Sequence, residues 1–434
     1  MSPETAGIVG IALLLLLFLL RVQIAFAMAC VGFIGITYLA GAEPALTLLA
    51  QDIYESFTSY PLSVIPMFVL MGTFAYGSGI SKRLYDTTYT WVGQFRGGLT
   101  IATVLACSSF AAICGSSVAT AATMGKIALP EMKKYGYDDT MATGTIAAAG
   151  TLGILIPPST VLVVYGILVE ESIGKLFIAG VLPGLLLTLF FVAVVVLICR
   201  INPHYGPPGT PTSWKAKIKA ASGIVEAVIL FLLAIGGLFL GWFSPTQAGS
   251  IGAGGALVIG LIQRQLTWKR FFEASKDGLQ TSCMVLFILF GAVVFGHFLT
   301  LSGIPFLLAD WVESLPIHRM AIMGFIIFIY FIGGFFMDSM ALIVVTIPIF
   351  FPLVVKLGFD PIWFGVIVVL TGEMGVISPP VGVNVFVIKG IAPDIPLEVI
   401  FRGILPFLVT LMIFTIILTI FPQIATFLPS LVSY

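Results

Sequence analysis

A long apolar stretch of the chain is interrupted by Gly150-Thr151-Leu152-Gly153-Ile154-Leu155-Ile156-Pro157-Pro158-Ser159, and a second by Gly372-Glu373-Met374-Gly375-Val376-Ile377-Ser378-Pro379-Pro380. Proline has no amide hydrogen and its ring clashes with the preceding turn, so a Pro-Pro pair after Gly-x-x-Gly breaks a helix. Each stretch therefore predicts two half-helices joined by unwound backbone. At membrane depth such backbone is tolerated only where it is buried in protein or lines a cavity.

The composition indicates that both stretches lie in a membrane. The chain has 434 residues, of which 59% are hydrophobic and 9% charged, whereas soluble domains carry about 25% charged residues. Since a bilayer span needs roughly 20 apolar residues, the apolar stretches suffice for about ten spans. We therefore expect an all-α polytopic membrane protein. Its first apolar run has no basic leader and no cleavage site, which predicts a retained first span.

The predicted spans lie near residues 5–20, 22–41, 61–80, 138–169, 174–199, 221–241, 245–263, 280–302, 361–390 and 398–425. Two further apolar stretches, 98–130 and 319–354, are too long for one span and polar in the middle, which predicts two re-entrant helical hairpins. Charged and aromatic residues alternate with apolar ones in segments 44–58, 82–95 and 266–277. These segments predict helices lying in the membrane interface, with polar loops as the alternative.

The charged residues and cysteines exclude several functions. Lys and Arg balance Asp and Glu at 20 each, which gives no basic excess for binding nucleic acid. No Gly-rich phosphate loop ends in Lys-Ser or Lys-Thr, so the chain has no motif for ATP hydrolysis. The five cysteines have no paired spacing and predict small core residues, not disulfides or a metal site.

The distribution of Lys and Arg predicts the orientation of the chain. With the loop around residues 200–219 on the cytoplasmic side, only Lys175, Arg319 and Lys356 of the 20 basic residues lie outside. The other seventeen lie inside, as the positive-inside rule requires. We therefore expect a multi-pass protein of the bacterial inner membrane with both termini in the periplasm.

The sequence also contains an internal repeat at an offset of 222 residues. Without a gap, this offset places Ser117 on Ser339, Pro130 on Pro352, Gly136 on Gly358, Asp138 on Asp360, Gly150 on Gly372 and Pro157 on Pro379. Five predicted traverses separate the two copies, so they enter the membrane from opposite sides. Inverted repeats with interrupted segments are typical of secondary transporters, which bind their substrate near the midplane.

This pattern divides the chain into four segments. Residues 1–97 form N-terminal scaffold spans with an interfacial arm, and residues 98–200 form a first transport repeat with hairpin 98–130 and broken helix 138–169. Residues 201–279 form a linker, scaffold spans and an interfacial arm. Residues 280–434 form a scaffold span and the second transport repeat, with hairpin 319–354, broken helix 361–390 and a last span.

The broken helices predict sites for ions of both signs. Carbonyl ends near Cys114 and Gly150 carry partial negative charge and suit Na⁺, whereas amide ends near Ser117 and Pro158 suit a carboxylate. Ser116 and Ser117 fit as N-caps whose hydroxyls can also face a cation.

The second copy adds acidic groups, because Asp338 aligns with Ser116 and Glu373 with Thr151. A carboxylate in a membrane segment is a functional candidate. Two interpretations stay open for each carboxylate. Asp338 is either a cation ligand or only a helix cap. Glu373 either takes part in the function of the site or pairs with a basic side chain such as Lys126. Asn384 lines the cavity or makes an interhelical hydrogen bond.

No arginine lies in the middle of either repeat, so a bound anion has to be held by other donors. Half-helix amide ends, assisted by bound Na⁺, are the predicted donors, and a clamp by Arg402 is the alternative. The candidate substrate residues are Ser117, Ser159, Ser339, Asn384 and Arg402.

The sequence resembles the large membrane subunit of tripartite ATP-independent periplasmic (TRAP) transporters. The resemblance rests on Cys114-Gly115-Ser116-Ser117-Val118-Ala119-Thr120, on Leu129-Pro130-Glu131-Met132-Lys133-Lys134-Tyr135-Gly136-Tyr137-Asp138, on the first quoted stretch and on Ser378-Pro379-Pro380-Val381-Gly382-Val383-Asn384. It covers nearly the whole chain. It implies an elevator-type importer of Na⁺ and an organic acid, which a soluble periplasmic binding protein delivers. A small four-helix membrane subunit, expected as a separate chain, completes the scaffold in the lipid bilayer.

The resemblance also implies where the coupling ions bind. Family cation sites pair each hairpin tip with the broken helix of the same repeat, and they carry over to Gly115, Ser116, Ser117, Gly150 and Gly153, and to Asp338, Gly372 and Gly375. Na⁺ is a coupling ion, and no cofactor is implied. Family substrates include C4-dicarboxylates and sialic acids, and the sequence does not choose between them.

Three rival functions remain at this level. A stand-alone sodium/anion symporter of related fold would need no binding protein. An intramembrane enzyme would use Asp338 and Glu373 as a catalytic pair, but catalysis does not require two mirrored sites. An ion channel would need a continuous pore and would pass current without substrate.

Overall fold

The computed structural model describes residues 1–432, and every regular element in that part of the chain is a helix. The first half contains α1 (Pro3–Leu19), α2 (Ile24–Ala40), α3 (Ala42–Thr58), α4 (Val64–Gly77), α5 (Ile80–Val92), α6 (Gly98–Cys114), α7 (Ser117–Lys134), α8 (Asp139–Gly150), α9 (Leu152–Leu155), α10 (Thr160–Leu168) and α11 (Ile173–Ile201).

The second half begins with α12 (Trp214–Phe231), which continues through a π-helical segment into α13 (Gly237–Phe239). It then contains α14 (Pro245–Ile262), α15 (Trp268–Ser302), α16 (Ile304–Ser314), α17 (Arg319–Gly333), α18 (Ser339–Lys356), α19 (Pro361–Ile377), α20 (Val383–Ile391), α21 (Leu397–Ile420) and α22 (Gln423–Ser430). The last two residues of the predicted fourth segment, and with them the C-terminus, lie outside the described residues.

The sequence repeat is a structural repeat. Helices α7 and α18 begin 222 residues apart, as do α8 and α19. Gly136 and Gly358 turn the chain with φ of 71° and 74°, and Asp138 and Asp360 then each cap the next helix, with a carboxylate oxygen 2.9 Å from a backbone amide. The same left-handed turn and N-cap therefore start the broken helix in both copies.

The two copies pack on each other reciprocally. Helix α10 of the first copy contacts α18 and α19 of the second, and α20 of the second contacts α7 and α8 of the first. Reciprocal contacts of this kind arise when two copies are related by a two-fold axis. The direction of that axis relative to the membrane stays a prediction.

The prolines, not the glycines, end the first half of each broken helix. In the first copy the helix is interrupted only at Thr151 and continues to Leu155, and α10 then leaves at 41°. In the second copy α19 runs through Gly372 and Gly375 to Ile377. The expected helix end near Gly150 is therefore a local interruption, and the corresponding end in the second copy lies at the proline pair, whose Pro-Pro bond is cis in both copies.

Three predicted boundaries were wrong. The interfacial segment 266–277 and the span 280–302 form one helix, α15, because no proline or positive φ separates them and the polar Glu273 and Lys276 stay exposed on one side. The loop expected around residues 200–219 is helical from Trp214, where the Ser213 hydroxyl caps α12. The last span ends at Ile420, since the next helix begins after Pro422.

The other local predictions agree with the structure in part. Segments 44–58 and 82–95 are largely helical as α3 and α5, which excludes polar loops, while their position in the interface stays a prediction. Helix α16 was not predicted. Cys107, Cys114 and Cys199 are buried as expected, but Cys30 and Cys283 are exposed, which contradicts their prediction as core residues.

The helices confirm a multi-pass membrane protein. Of the described helices, 7 are long and apolar enough to cross a membrane, or 8 if α8 to α10 count as one bent span. Shorter apolar helices are Pro3–Leu19, Ile24–Ala40, Gly98–Cys114, Arg319–Gly333 and Pro361–Ile377. The count of about ten spans stays a prediction.

The predicted orientation can be tested with single cysteines introduced into a background without native cysteines. Cysteines at Thr212 and Gln265 should react with a membrane-impermeant thiol reagent only from the cytoplasmic side. Cysteines at Glu43 and Ser314 should react only from the periplasm, because few basic residues lie on that side. Periplasmic labelling at Thr212 or Gln265 would contradict the orientation.

Candidate functional site

The tip of the first hairpin is built against the first broken helix. Gly115, with φ of 67°, ends α6 in the left-handed conformation, and the Ser116 hydroxyl then caps α7 by accepting from the Ala119 amide at 3.3 Å. The Thr160 hydroxyl, at the start of α10, donates to the Gly115 carbonyl at 3.0 Å. A Cβ on Gly153 would lie 2.5 Å from the Ser116 carbonyl oxygen. Only glycine allows this approach.

The tip of the second hairpin repeats this arrangement with other residues. Asp338 caps α18, with its Oδ1 accepting from the Ala341 amide at 2.8 Å. A Cβ on Gly375 would lie 2.3 Å from the Gly334 Cα, and one on Gly372 would lie 3.1 Å from the Ser339 Oγ. The cap predicted for Asp338 is present, and its Oδ2 has no hydrogen-bond partner among residues 1–432 and remains free to meet a cation.

The residues of each predicted cation site thus lie close together within their own repeat. Gly115, Ser116 and Ser117 lie against the first broken helix, where Gly150 and Gly153 are. Asp338 sits beside Ser339, which packs on Gly372. The binding of Na⁺ by these residues stays a prediction.

Glu373 connects the two tips. Its side chain is only 1% exposed. Its Oε1 accepts a hydrogen bond from the Ser339 hydroxyl at 2.7 Å and from the Ser117 hydroxyl at 3.4 Å. Its Oε2 is buried and unpartnered among the described residues. Pairing with Lys126, one of the two expectations for Glu373, is not observed, and the carboxylate instead spans both repeats.

A cavity of about 490 Å³ opens beside the tips. Its walls come from α4, α15 and the two hairpins, and Ser116, Ser117, Asp338, Ser339 and Glu373 line it. The tip end is deeply buried at Ser117, Ser339 and Glu373. The opposite end carries exposed Tyr76, Lys126 and Asp277. The cavity therefore leads from one surface of the protein to the hairpin tips.

Several cavity residues were missed from the sequence, although their spacing contains a signal. On α7, Ala119, Ala122, Thr123 and Lys126 follow the i, i+3, i+4, i+7 pattern of one helix face. Val69, Gly72, Thr73 and Tyr76 on α4 have the same spacing, and Asp277, Thr281, Met284, Val285 and Ile288 share a face of α15. Polar residues at these positions indicate a helix face that lines a cavity in an otherwise apolar helix.

Three predicted substrate residues lie elsewhere. Ser159 is 0% exposed and caps α10 by accepting from the Leu162 amide at 3.1 Å. Asn384 is buried, and its Nδ2 donates to the Ala147 carbonyl at 3.3 Å, which is the interhelical hydrogen bond left open by the sequence. Arg402 is exposed on α21 and does not line the cavity. Of the five substrate candidates, only Ser117 and Ser339 line it.

Comparison with known proteins identifies relatives along nearly the whole chain. The family model described as tripartite ATP-independent periplasmic transporter, DctM component, matches residues 11–424. The C4-dicarboxylate TRAP transporter large permease protein DctM of Pseudomonas aeruginosa is 38% identical over 91% of this chain and 92% of its own. The sialic acid TRAP transporter large permease protein SiaM of Vibrio cholerae is 30% identical, with 89% and 90% covered.

One solved structure supports the fold independently. The Alcanivorax borkumensis YdaH transporter superposes with a TM-score of 0.61 over 88% of this chain and 89% of its own, at 15% sequence identity. At that identity the similarity concerns the fold alone.

The close approach of tip and broken helix can be tested with Gly375→Ala. The new Cβ would meet the Gly334 backbone at 2.3 Å, so we expect a loss of about 1–3 kcal/mol and a lower thermal unfolding temperature of the purified protein. Gly390→Ala is the matched control, because Gly390 is also helical and nothing lies within 4 Å of its Cβ position. Equal unfolding temperatures for both variants would contradict the packing described here.

Proposed function

The chain belongs to the DctM component family of tripartite ATP-independent periplasmic transporters, and from this membership we propose that it imports a small organic acid across the bacterial inner membrane by cotransport with Na⁺. The observation that carries the proposal is the meeting of two hairpin tips and two broken helices at one cavity. Paired broken segments are the device by which secondary transporters bind an ion and an anion near the midplane.

The proposed substrate is a C4-dicarboxylate, with sialic acid as the second candidate, because relatives named for these acids match most of the chain. An acid needs donors where it binds. The amide end of α7 at Ser117 and that of α18 at Ser339 both lie at the cavity and supply partial positive charge. This supports binding of a carboxylate at the tip end.

The proposed Na⁺ sites lie behind the tips. The carbonyls of Gly115 and Ser116 approach the first broken helix, and the Asp338 carboxylate stands at the second tip with one oxygen free. Carbonyl and carboxylate oxygens are ligands that hard cations prefer. A bound cation would draw each tip onto its broken helix and offset the charge of an incoming anion.

The proposed mechanism is an elevator movement. The cavity lies between α4 and α15 on one side and the hairpins on the other. A Cβ on Gly72 of α4 would lie only 2.9 Å from the Cys114 carbonyl oxygen, so scaffold and tip are in backbone contact there. Sliding of the hairpins and broken helices along α4 and α15 would carry the cavity across the membrane. In the predicted orientation, the open end at Lys126 and Asp277 faces the cytoplasm.

We also propose two partners, a small membrane subunit and a periplasmic binding protein. The isethionate TRAP transporter permease protein DctMQ of Oleidesulfovibrio alaskensis is 33% identical, and this chain spans 61% of its length. The remainder of that relative leaves room for a fused second subunit. A stand-alone symporter, the alternative, would need neither partner.

Reconstituted uptake tests the function and its alternative together. Proteoliposomes that contain this chain and its small subunit should take up a labelled C4-dicarboxylate or sialic acid only with an inward Na⁺ gradient and the cognate binding protein. Uptake without the binding protein would favour the stand-alone symporter. No Na⁺-driven uptake of any organic acid under complete conditions would contradict the proposal.

The proposed cation site at the second tip predicts the effect of Asp338→Asn. Asparagine retains the helix cap but removes the charge, so half-maximal uptake should require about tenfold more Na⁺. Asp360→Asn is the matched control, because Asp360 also caps a helix through its carboxylate, but at the entrance of α19 and away from the cavity. An unchanged Na⁺ requirement in Asp338→Asn, or equal shifts in both variants, would remove Asp338 from the site.

A further inference from the structure

The cavity carries an unusual charge distribution for a site that accepts an anion. Its lining includes the acidic residues Asp277, Asp338 and Glu373 but a single basic residue, Lys126. In the proposed function, bound Na⁺ would offset the acids at the tips, but it would supply no charge at the far end of the cavity. There, Lys126 is the cation that an anion meets.

Unlike Lys133 and Lys356, Lys126 has no ion-pair partner among the described residues. Lys133 binds Asp394 at 2.5 Å, and Lys356 binds Asp310 and Glu313, each at 2.6 Å. Within residues 1–432, Lys126 makes no ion pair or hydrogen bond, although Asp277 lines the same cavity. Its side chain is exposed and therefore free to meet a ligand.

The position of Lys126 on α7 sets the distance between two anion-binding ends. It follows Ser117 by nine residues on one helix, which places the two Cα atoms about 13.5 Å apart along the helix axis. Long helical side chains lean toward the helix N-terminus, so we expect the ammonium group of Lys126 to lie nearer to the tip than its Cα. At the tip end, the buried Glu373 Oε2 lacks a partner, which a bound cation would supply. One end of the cavity thus offers helix amides and a carboxylate oxygen that a bound cation would satisfy, and the other end offers an ammonium group.

We propose that Lys126 binds the second carboxylate of a dicarboxylate substrate and thereby sets the preference for dicarboxylates over monocarboxylates. The inference rests on the proposed import of an organic acid. A monocarboxylate satisfies the tip end only and leaves the ammonium group in water. A dicarboxylate satisfies both ends and gains a charge-assisted contact.

The test compares succinate with its monomethyl ester, which has similar length but only one carboxylate. Binding is measured as ligand-induced thermal stabilisation of this chain in complex with its small subunit in Na⁺ buffer, with the binding protein omitted. Wild type should bind succinate about tenfold or more tightly than the ester. Lys126→Gln should weaken succinate alone and bring the two affinities together, whereas Lys126→Arg should retain the preference.

Lys134→Gln is the matched control, because Lys134 lies on the same helix outside the cavity lining. It should change neither affinity. Three results would overturn the proposal: no preference in wild type, an unchanged preference in Lys126→Gln, or equal weakening of both ligands by that variant. Uptake of an organic acid by the wild type together with the binding protein tests the proposed import separately from the role of Lys126. If this uptake is observed, the proposed import stands even where Lys126 proves irrelevant.

Discussion

Everything in this structure depends on how unwound backbone is satisfied inside a membrane protein. Two helices break at proline pairs, and at membrane depth water is not available to every freed carbonyl and amide. The hairpin tips meet this requirement by packing onto the breaks. The Thr160 hydroxyl reaches the Gly115 carbonyl at 3.0 Å, and glycines at 153 and 375 allow backbone to approach backbone. The breaks therefore position the tips, and the tips position the cavity.

A second consequence is that the two repeats are linked at the same place. Glu373 accepts hydroxyl hydrogen bonds from Ser117 of one tip and Ser339 of the other, and Asn384 connects α20 to the Ala147 carbonyl of α8. A buried carboxylate depends strongly on its hydrogen bonds, because an unsatisfied charge in the interior is costly. In the proposed mechanism, a cation that moves one tip therefore also disturbs the other. Such linkage provides a route for coupling between ion and substrate.

The sequence predicted those parts of the fold that follow from local chemistry. Proline pairs break helices, and the aspartates at 138 and 360 cap them. Because both features appear twice at one offset, the repeat and the hairpins could be predicted from the sequence. The continuity of α15 could not be predicted, because a polar turn inside a long helix resembles a loop until the buried side of the helix is known. The position of Lys126 at the cavity was not predicted, because the cavity forms only where α7 faces α4 and α15 in the folded chain. Likewise, the burial of Ser159 is a tertiary property that its position beside the prolines does not reveal.

In the proposed mechanism Na⁺ and the organic acid bind at one connected site, so their affinities must depend on each other. The most direct measurement is equilibrium binding of the cognate acid to the purified permease complex, with the binding protein omitted, across a Na⁺ series at fixed ionic strength. The affinity for the acid should rise steeply with Na⁺, because the cations order the tips and offset the charge of the acid. Equal affinity with and without Na⁺ would contradict this mechanism.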